Sequence, residues 1–321
     1  MQSKTQRESA PQRLFLALAG LVAIMAFSAC ATTGKPKFHE SANYDSRVRI
    51  LVIHHTSSNF KSSMKILTEP SSHPVSAHYL VPEPNDKTYK EKHLQIYQLV
   101  PEEKRAWQAG KSYWGGKTSL NDLSIGIEIV NQAYCVKREQ ATGDRPTWDV
   151  TGKTSKPLCF FPDYAENQMD RLIDLIEGIL KRHPRITPVN IVGHSDIAPD
   201  RKIDPGPRFP WQRLYQRGIG AWYDDATVIR YWRQFDGQVP PMTTIQKALG
   251  IYGYKIEQTG TLDTQTRNVI SAFQMHFRPD RVTGEPDEKT IAILFALVEK
   301  YRPGHMDELL GTPTPTPQTS P

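Results

Sequence analysis

The chain has 321 residues and a formal net charge of +6, with an isoelectric point near 9.1. Its length allows more than one compact core, at roughly 100 to 200 residues per domain. The basic residues are scattered and form no long run, which leaves no basis for a nucleic-acid partner.

The first segment reads as an address and not as fold. Lys4, Arg7 and Arg13 lead into LFLALAGLVAIMAF and then the small residues SAC, the order of a signal peptide, assigned to residues 1–29. The apolar run is short for a membrane span of about 20 residues. AFSAC resembles a bacterial lipobox, which implies a lipid on Cys30 and a membrane anchor from outside the cytoplasm. A plain secretory signal with an incidental cysteine is the alternative. Ala31, not aspartate, follows Cys30, and for a Gram-negative lipoprotein this implies the periplasmic face of the outer membrane. Removing residues 1–29 takes away +2 and leaves +4, which suits an anionic wall or membrane face. Residues 30–46 are small and polar without periodicity, as expected of a tether.

The first core is expected over residues 47–221. VRILVIHH is a β-branched run, and SIGIEIVN alternates, with Ile125, Ile127 and Ile129 on one side and Gly126, Glu128 and Val130 on the other; both read as strands. From Asp163 to Arg182 apolar residues recur at helical spacing, and Pro184 closes the segment. NIVGH reads as a third short strand ending at His194. Strand, strand, long helix, strand predicts an α/β fold, a mixed sheet with packed helices. Cys135 and Cys159 bracket a long polar stretch; an oxidising compartment permits a bridge between them, and two unrelated thiols remain the other reading.

A linker is expected over residues 222–239. Three short helical patterns separated by Gly and Pro turns then predict a small three-helix domain over residues 240–303. Residues 304–321 end in TPTPTPQTSP, whose prolines deny it a helix and a core.

Of the ten histidines, His39, His93, His183, His276 and His305 have solvated or capping roles as the simplest account. Core or hydrogen-bonding roles are simplest for His73 and His78. His54 ends an apolar strand, where an unpaired imidazole is costly, and its neighbour His55 must point the other way; spacing does not choose between them. His194 also follows a strand, and Asp204 sits in a Pro-rich loop that can turn back toward it. Two histidines and a carboxylate match what zinc needs, yet by spacing alone a core histidine and a helix-capping aspartate are the simpler account.

The wording of successive segments adds what spacing cannot. VRILVIHH, SAHYLV, RAWQAGKSYWGG, LNDLSIGIEIVN, FPDYAENQMDRLIDLI and IVGHSDIAPDRKIDPGPRFPW, in that order, resemble the zinc-dependent N-acetylmuramoyl-L-alanine amidases of the amidase-2 family over residues 47–215. The lipoprotein branch with a C-terminal peptidoglycan-binding domain is the nearest in pattern, and IQKALGIYGY with GTLDTQTRNVISAFQ resembles that domain. The resemblance implies zinc held by His54, His194 and Asp204, Glu128 as general acid–base residue and Lys202 as the cation facing the developing oxyanion. It implies peptidoglycan or muropeptides as substrate, cleaved between N-acetylmuramic acid and L-alanine by a monomer. The family commonly has histidine where this chain has Gln108, which bears on a substrate contact and leaves the metal set intact. A receptor on the same fold that has lost catalysis and a cytoplasmic recycling amidase are the rival readings.

Overall fold

The run ILVIHH forms β1 (Ile50–His55), buried at every position, as expected of a strand covered on both faces. In this computed structural model residues 37–136 and 158–311 are described; the expected signal peptide, Cys30 and the proline-rich end lie outside them. The chain divides into a short unit, Met1–Asp45, and a second compact unit from Ser46 onward, which holds all that follows.

After β1 come α1 (Phe60–Thr68), β2 (Tyr79–Val81), β3 (Tyr97–Gln98) and a small hairpin of β4 (Tyr113–Trp114) and β5 (Lys117–Thr118). Asn59 starts α1 by accepting a hydrogen bond from the Ser62 amide at 2.9 Å, an N-cap that satisfies one of the helix's orphan donors. β6 (Ser124–Ile129) then enters the main sheet. β7 (Tyr134–Val136) and β8 (Leu158–Phe160) pair antiparallel, and a disulfide joins Cys135 to Cys159 across that pair. The bridge that the sequence left open is therefore formed.

α2 (Glu166–Arg182) buries Met169, Leu172, Ile173, Ile176 and Ile179, the stripe its periodicity predicts. It starts three residues later than expected, after an extended Ala165, and just before it the Tyr164 hydroxyl donates to the Pro205 carbonyl at 2.7 Å. β9 (Ile191–Gly193) completes a five-stranded sheet of order β3-β2-β6-β1-β9. β2, β6, β1 and β9 are mutually parallel and β3 is antiparallel. His194 is not the last strand residue but the first of α3 (His194–Ile197). In the parallel register His54 lies beside Glu128, so the two share one face at the carboxyl end of the sheet, where open α/β folds collect their ligands.

α4 (Trp211–Gln216) is followed by α5 (Asp225–Gln234), a helix inside the stretch expected to be a linker. Tyr231 and Phe235, one turn apart, are buried against Phe295, and that apolar anchoring makes the segment part of the helical module. The three expected helices are α6 (Met242–Tyr252), α7 (Thr264–Phe277) and α8 (Glu288–Tyr301). Asp263 and Asp287 cap the last two through the amides of Thr266 and Thr290. α9 (Met306–Leu310) with buried Leu309 shows that the expected tail begins with ordered helix. No helix among the described residues is long and apolar enough to cross a membrane.

The helical module is seated firmly on the sheet module. Trp114, 2% exposed, lies edge-on to Tyr252 and Tyr254, with ring centres 6.0 and 5.0 Å away. The Gly115 amide donates to the Gly253 carbonyl at 2.9 Å, and a Cβ on Gly253 would come within 2.9 Å of the Trp114 ring, so glycine is needed for that approach. Beneath them Asp196 accepts from the Tyr254 hydroxyl at 2.6 Å and from His276 Nδ1 at 2.7 Å. His276 is thus buried, stacked on Trp211 at 3.8 Å, and not in the solvated role its surroundings in the sequence implied.

Candidate metal centre and its pocket

His54, His194 and Asp204 converge at the carboxyl ends of β1 and β9, all three buried. His54 Nδ1 lies 2.9 Å from His194 Nδ1 and 3.0 Å from Asp204 Oδ2, and His194 Nδ1 lies 3.1 Å from the same oxygen. Asp204 is brought back by the loop after α3, whose Ser195 amide donates to the Asp204 carbonyl at 2.9 Å. His55 takes no part in the cluster. Its Nδ1 is 3.2 Å from Ser57 Oγ and its ring lies edge-on to Phe161, although it does line the same pocket.

The protons of the two imidazoles are fixed from outside. Ser124 Oγ donates to the Leu120 carbonyl at 2.6 Å, so it must accept from Gln108 Nε2 at 2.7 Å. That orients the Gln108 amide with Oε1 toward His54 Nε2, 2.6 Å away, and the proton of His54 therefore sits on Nε2. Gly126 permits the arrangement, since a Cβ there would lie 2.5 Å from Gln108 Cγ. His194 Nε2 lies 3.3 Å from the Ala109 carbonyl, nearer than Arg201 Nη2 at 3.5 Å, and that carbonyl, an acceptor only, draws its proton outward as well. Two Nδ1 lone pairs and a carboxylate oxygen are left aimed at one another.

Three acceptors at this separation repel unless a cation lies among them. A tetrahedral ion with bonds of about 2.0–2.1 Å sets its ligand atoms about 3.3 Å apart, close to the spacing here. Imidazoles oriented by a second hydrogen bond are the usual setting of such a centre. The charge states agree in direction. Burial pushes Asp204 up, but the imidazoles and their hydrogen bonds outweigh it and hold the carboxyl well below its ordinary range. Burial takes His194 down to about 4, keeping it neutral, as a ligand must be. Burial opposes protonation of His54 too, yet the Asp204 hydrogen bond and the Glu128 charge raise it, so metal and proton compete there. These residues fit a zinc ion in donor type and number, with His194 neutral and Asp204 ionised, and His54 gives up its competing proton when the ion enters.

His194 and Asp204 line a pocket of about 270 Å³ together with Glu128 and Lys202, and His54, bonded to Asp204, lies beside Glu128 in the sheet. All five residues singled out in the sequence are therefore brought together. Glu128 is half-buried, and its Oε2 is enclosed without a hydrogen-bond partner. Burial raises its carboxyl above the ordinary value, with the His54 charge opposing and the Asp204 charge reinforcing. An unpaired carboxylate with a raised pKa beside a metal centre is equipped to carry a proton. Lys202 is half-buried, and no described hydrogen bond engages its Nζ. Ile66, Val75 and Trp107, each about half exposed, form an apolar lip to the pocket.

Sequence reasoning missed Gln108 as a support of His54; the only signal was its departure from histidine in AWQAG. It also missed Arg201, whose Nη2 donates to the carbonyls of Ala109 and Lys111 and braces the wall behind His194. His78 is the core residue expected, accepting from the Gly126 amide at Nδ1 and facing the Lys104 carbonyl at Nε2. His73 is exposed. His183 is paired with Glu102 at 2.8 Å and not solvated.

Residues 44–207 match the sequence profile of the family described as N-acetylmuramoyl-L-alanine amidase, and residues 238–294 that of the putative peptidoglycan binding domain. The chain is 43% identical over 259 residues to the N-acetylmuramoyl-L-alanine amidase AmiD of Escherichia coli, spanning 79% of this chain and 84% of that one. Among solved structures it resembles AmpDh3 from Pseudomonas aeruginosa at 43% identity and a TM-score of 0.72, over 85% of this chain and 99% of the other. It likewise resembles Escherichia coli AmiD in complex with the substrate anhydro-N-acetylmuramic acid-L-Ala-D-gamma-Glu-L-Lys, at 40% identity and a TM-score of 0.66, over 82% and 93%.

Proposed function

The chain belongs to the N-acetylmuramoyl-L-alanine amidase family and hydrolyses the amide bond between N-acetylmuramic acid and L-alanine; from that premise we propose that it does so with one zinc ion held by His54, His194 and Asp204. The observation that carries this reading is the pair of outward-locked imidazoles, which leaves two Nδ1 lone pairs and Asp204 Oδ2 converging within 3.1 Å. When bound, the ion supplies a Lewis acid that polarises the amide carbonyl and acidifies water. Glu128 takes the proton of the attacking water and returns it to the leaving amine, a transfer that its unpaired Oε2 and raised pKa favour. Lys202 brings positive charge to the oxygen that becomes negative as the carbonyl carbon turns tetrahedral. Gln108 and the Ala109 carbonyl keep the two rings in the ligating tautomer, and the apolar lip of Ile66, Val75 and Trp107 excludes water from one side of the bound muropeptide.

Mass spectrometry of purified muropeptides, intact and anhydro, tests the reading. Free stem peptide should appear with the holoenzyme, disappear with a chelator and return with zinc. Cleavage undiminished in metal-free protein would refute the metal assignment.

A membrane anchor on Cys30, at the periplasmic face of the outer membrane, belongs to the same proposal. It rests on the basic, apolar and SAC order of the leader, and the Cys135–Cys159 disulfide accords with an oxidising compartment. A palmitate analogue should label the full-length protein in cells and miss Cys30→Ser; a wild type that stays unlabelled would overturn it.

A further inference from the structure

A cleft of about 570 Å³, larger than the pocket beside His194 and Asp204, lies between the two modules and is lined from both sides. Gly110 to Tyr113, Thr118 and Ser119 form one wall and part of α3 with Pro199 and Asp200 forms the floor; Lys255, Thr264, Gln265 and Asn268 of the helical module form the other wall. Its lining mixes apolar floor residues with hydroxyls, two side-chain amides, one half-buried tyrosine, the Asp200 carboxylate and two exposed lysines. Asn268 is half-buried and no described hydrogen bond engages its amide. Such side chains, offering donors and acceptors around an aromatic face, are what a polyhydroxylated ring recognises.

The cleft is not a loose gap between bodies that drift. Directly below it the Tyr254 hydroxyl and His276 Nδ1 bond Asp196, the Gly115 amide bonds the Gly253 carbonyl, and Trp114 is wedged against Tyr252 and Tyr254. Buried polar bonds and close aromatic contacts of this kind fix the two walls at one separation, so the shape exists before a ligand arrives and little ordering cost is added on binding. Ser119, on its rim, is held at a left-handed φ of 54°, a conformation that is strained for a residue with a side chain.

The cleft also adjoins the catalytic pocket. The wall between them is the backbone at Ala109 to Lys111: the Ala109 carbonyl faces His194 Nε2 on the pocket side, Gly110 and Lys111 line the cleft, and Arg201 holds the segment through the Ala109 and Lys111 carbonyls. Two concave sites separated by one stretch of chain suit a ligand that is a polymer. We propose that this cleft is a second subsite, which holds a saccharide unit of the glycan strand next to the muramoyl residue being cleaved. The proposal rests on peptidoglycan as the substrate. It assigns recognition of the strand to the junction of the modules, with Tyr113, Asn268 and Thr264 as its contacts, and not to the helical module alone.

The test uses two variants and two ligands. Asn268→Ala removes an amide from one wall, and Thr118→Trp fills the cleft from an exposed position on the other. Calorimetric titration of metal-free full chain with glycan oligomers stripped of stem peptides should show binding that each variant weakens about tenfold, the loss of one to two hydrogen bonds. With zinc-loaded protein, the ratio of turnover on polymeric peptidoglycan to turnover on a single muropeptide should fall by a similar factor. Glycan binding unchanged in both variants, or loss of turnover on both substrates alike, overturns the second subsite. If peptide-free glycan binds but the wild type cleaves no muropeptide, the subsite stands and the amidase reading fails.

Discussion

Asp196 and Asp204 lie on one short connection after β9, both are buried, and both sit at hydrogen-bond distance from a histidine Nδ1, yet they are opposite in kind. At Asp196 every contact brings a proton: the Gly193 amide at 2.7 Å, the Tyr254 hydroxyl at 2.6 Å and His276 at 2.7 Å. At Asp204 the two imidazoles arrive with their protons turned outward to Gln108 and Ala109. One carboxylate is satisfied and joins two modules. The other is left among lone pairs, and only a cation completes it. Burial beside histidine therefore does not make a metal site; the direction in which the protons are held does.

The largest effect expected from this contrast is at the two aspartates themselves. Asp204→Ala should lose stoichiometric zinc and, with it, turnover by about 10³ or more, since water loses its activation, while metal-free thermal stability stays close to wild type. Asp196→Ala should keep zinc and strand three buried donors, costing on the order of 3 kcal/mol of stability. Zinc content by emission spectroscopy beside denaturant unfolding separates the two, and zinc retained in Asp204→Ala would break the comparison. His194→Ala should follow Asp204→Ala.

Glu128 sharpens it further, as a carboxylate in the pocket that is neither satisfied nor a ligand. Glu128→Ala should bind zinc and muropeptide normally and lose turnover by roughly 10² to 10⁴. Lys202→Ala should do the same by about 10² to 10³. Near-normal turnover in Glu128→Ala, measured on zinc-loaded protein, would rule out its role in proton transfer.

A smaller effect is expected where the proton direction is set. Gln108→Leu removes the acceptor for His54 Nε2 and frees the ring to change tautomer, so zinc affinity should drop by about 10 to 100-fold, read by competition with a chromophoric chelator. Gln108→Glu, which still accepts, should restore most of it. Equal affinity in all three proteins would show that the tautomer is held by something else.

The smallest effect belongs to a third carboxylate, satisfied like Asp196 but near the surface. Burial alone would raise Glu102, but Arg182, Tyr79 and His183 bond it and bring it down to about 2. A depressed pKa stabilises the fold above the unfolded value near 4.5 and loses that contribution as pH falls toward 2. Glu102→Gln should therefore cost on the order of 1 kcal/mol at pH 7, limited by solvent screening around the half-exposed Arg182, and the difference from wild type should vanish between pH 4.5 and 2. A difference that stays constant over that range would show that the ionic part is negligible.

Much of the scaffold was legible in the sequence because its signals are local. The β-branched runs became β1 and β6, the helical stripe became α2, and three capped patterns became α6, α7 and α8. The α5 helix was not, since its aromatic pair needs Phe295, sixty residues on, to be buried at all. The five residues singled out through linked motifs lie close together in the fold, while spacing alone left His54 and His55 undecided.

What the sequence determined by itself is the set of strands and helices, because side-chain period follows directly from backbone geometry, and the chemical inventory at the strand ends. What only the tertiary structure decided is which of those groups converge, which support them and which latch the modules together. Nothing in HSDIAPDRKID distinguishes Asp196 from Asp204. The difference is made by Tyr254 and His276 arriving from the helical module at one and by His54 arriving from β1 at the other, and by Gln108, which reaches its place only because β6 carries a glycine beside it. Proton placement is a property of such distant partners, and a hydrogen bond between remote residues leaves no periodic trace in the chain.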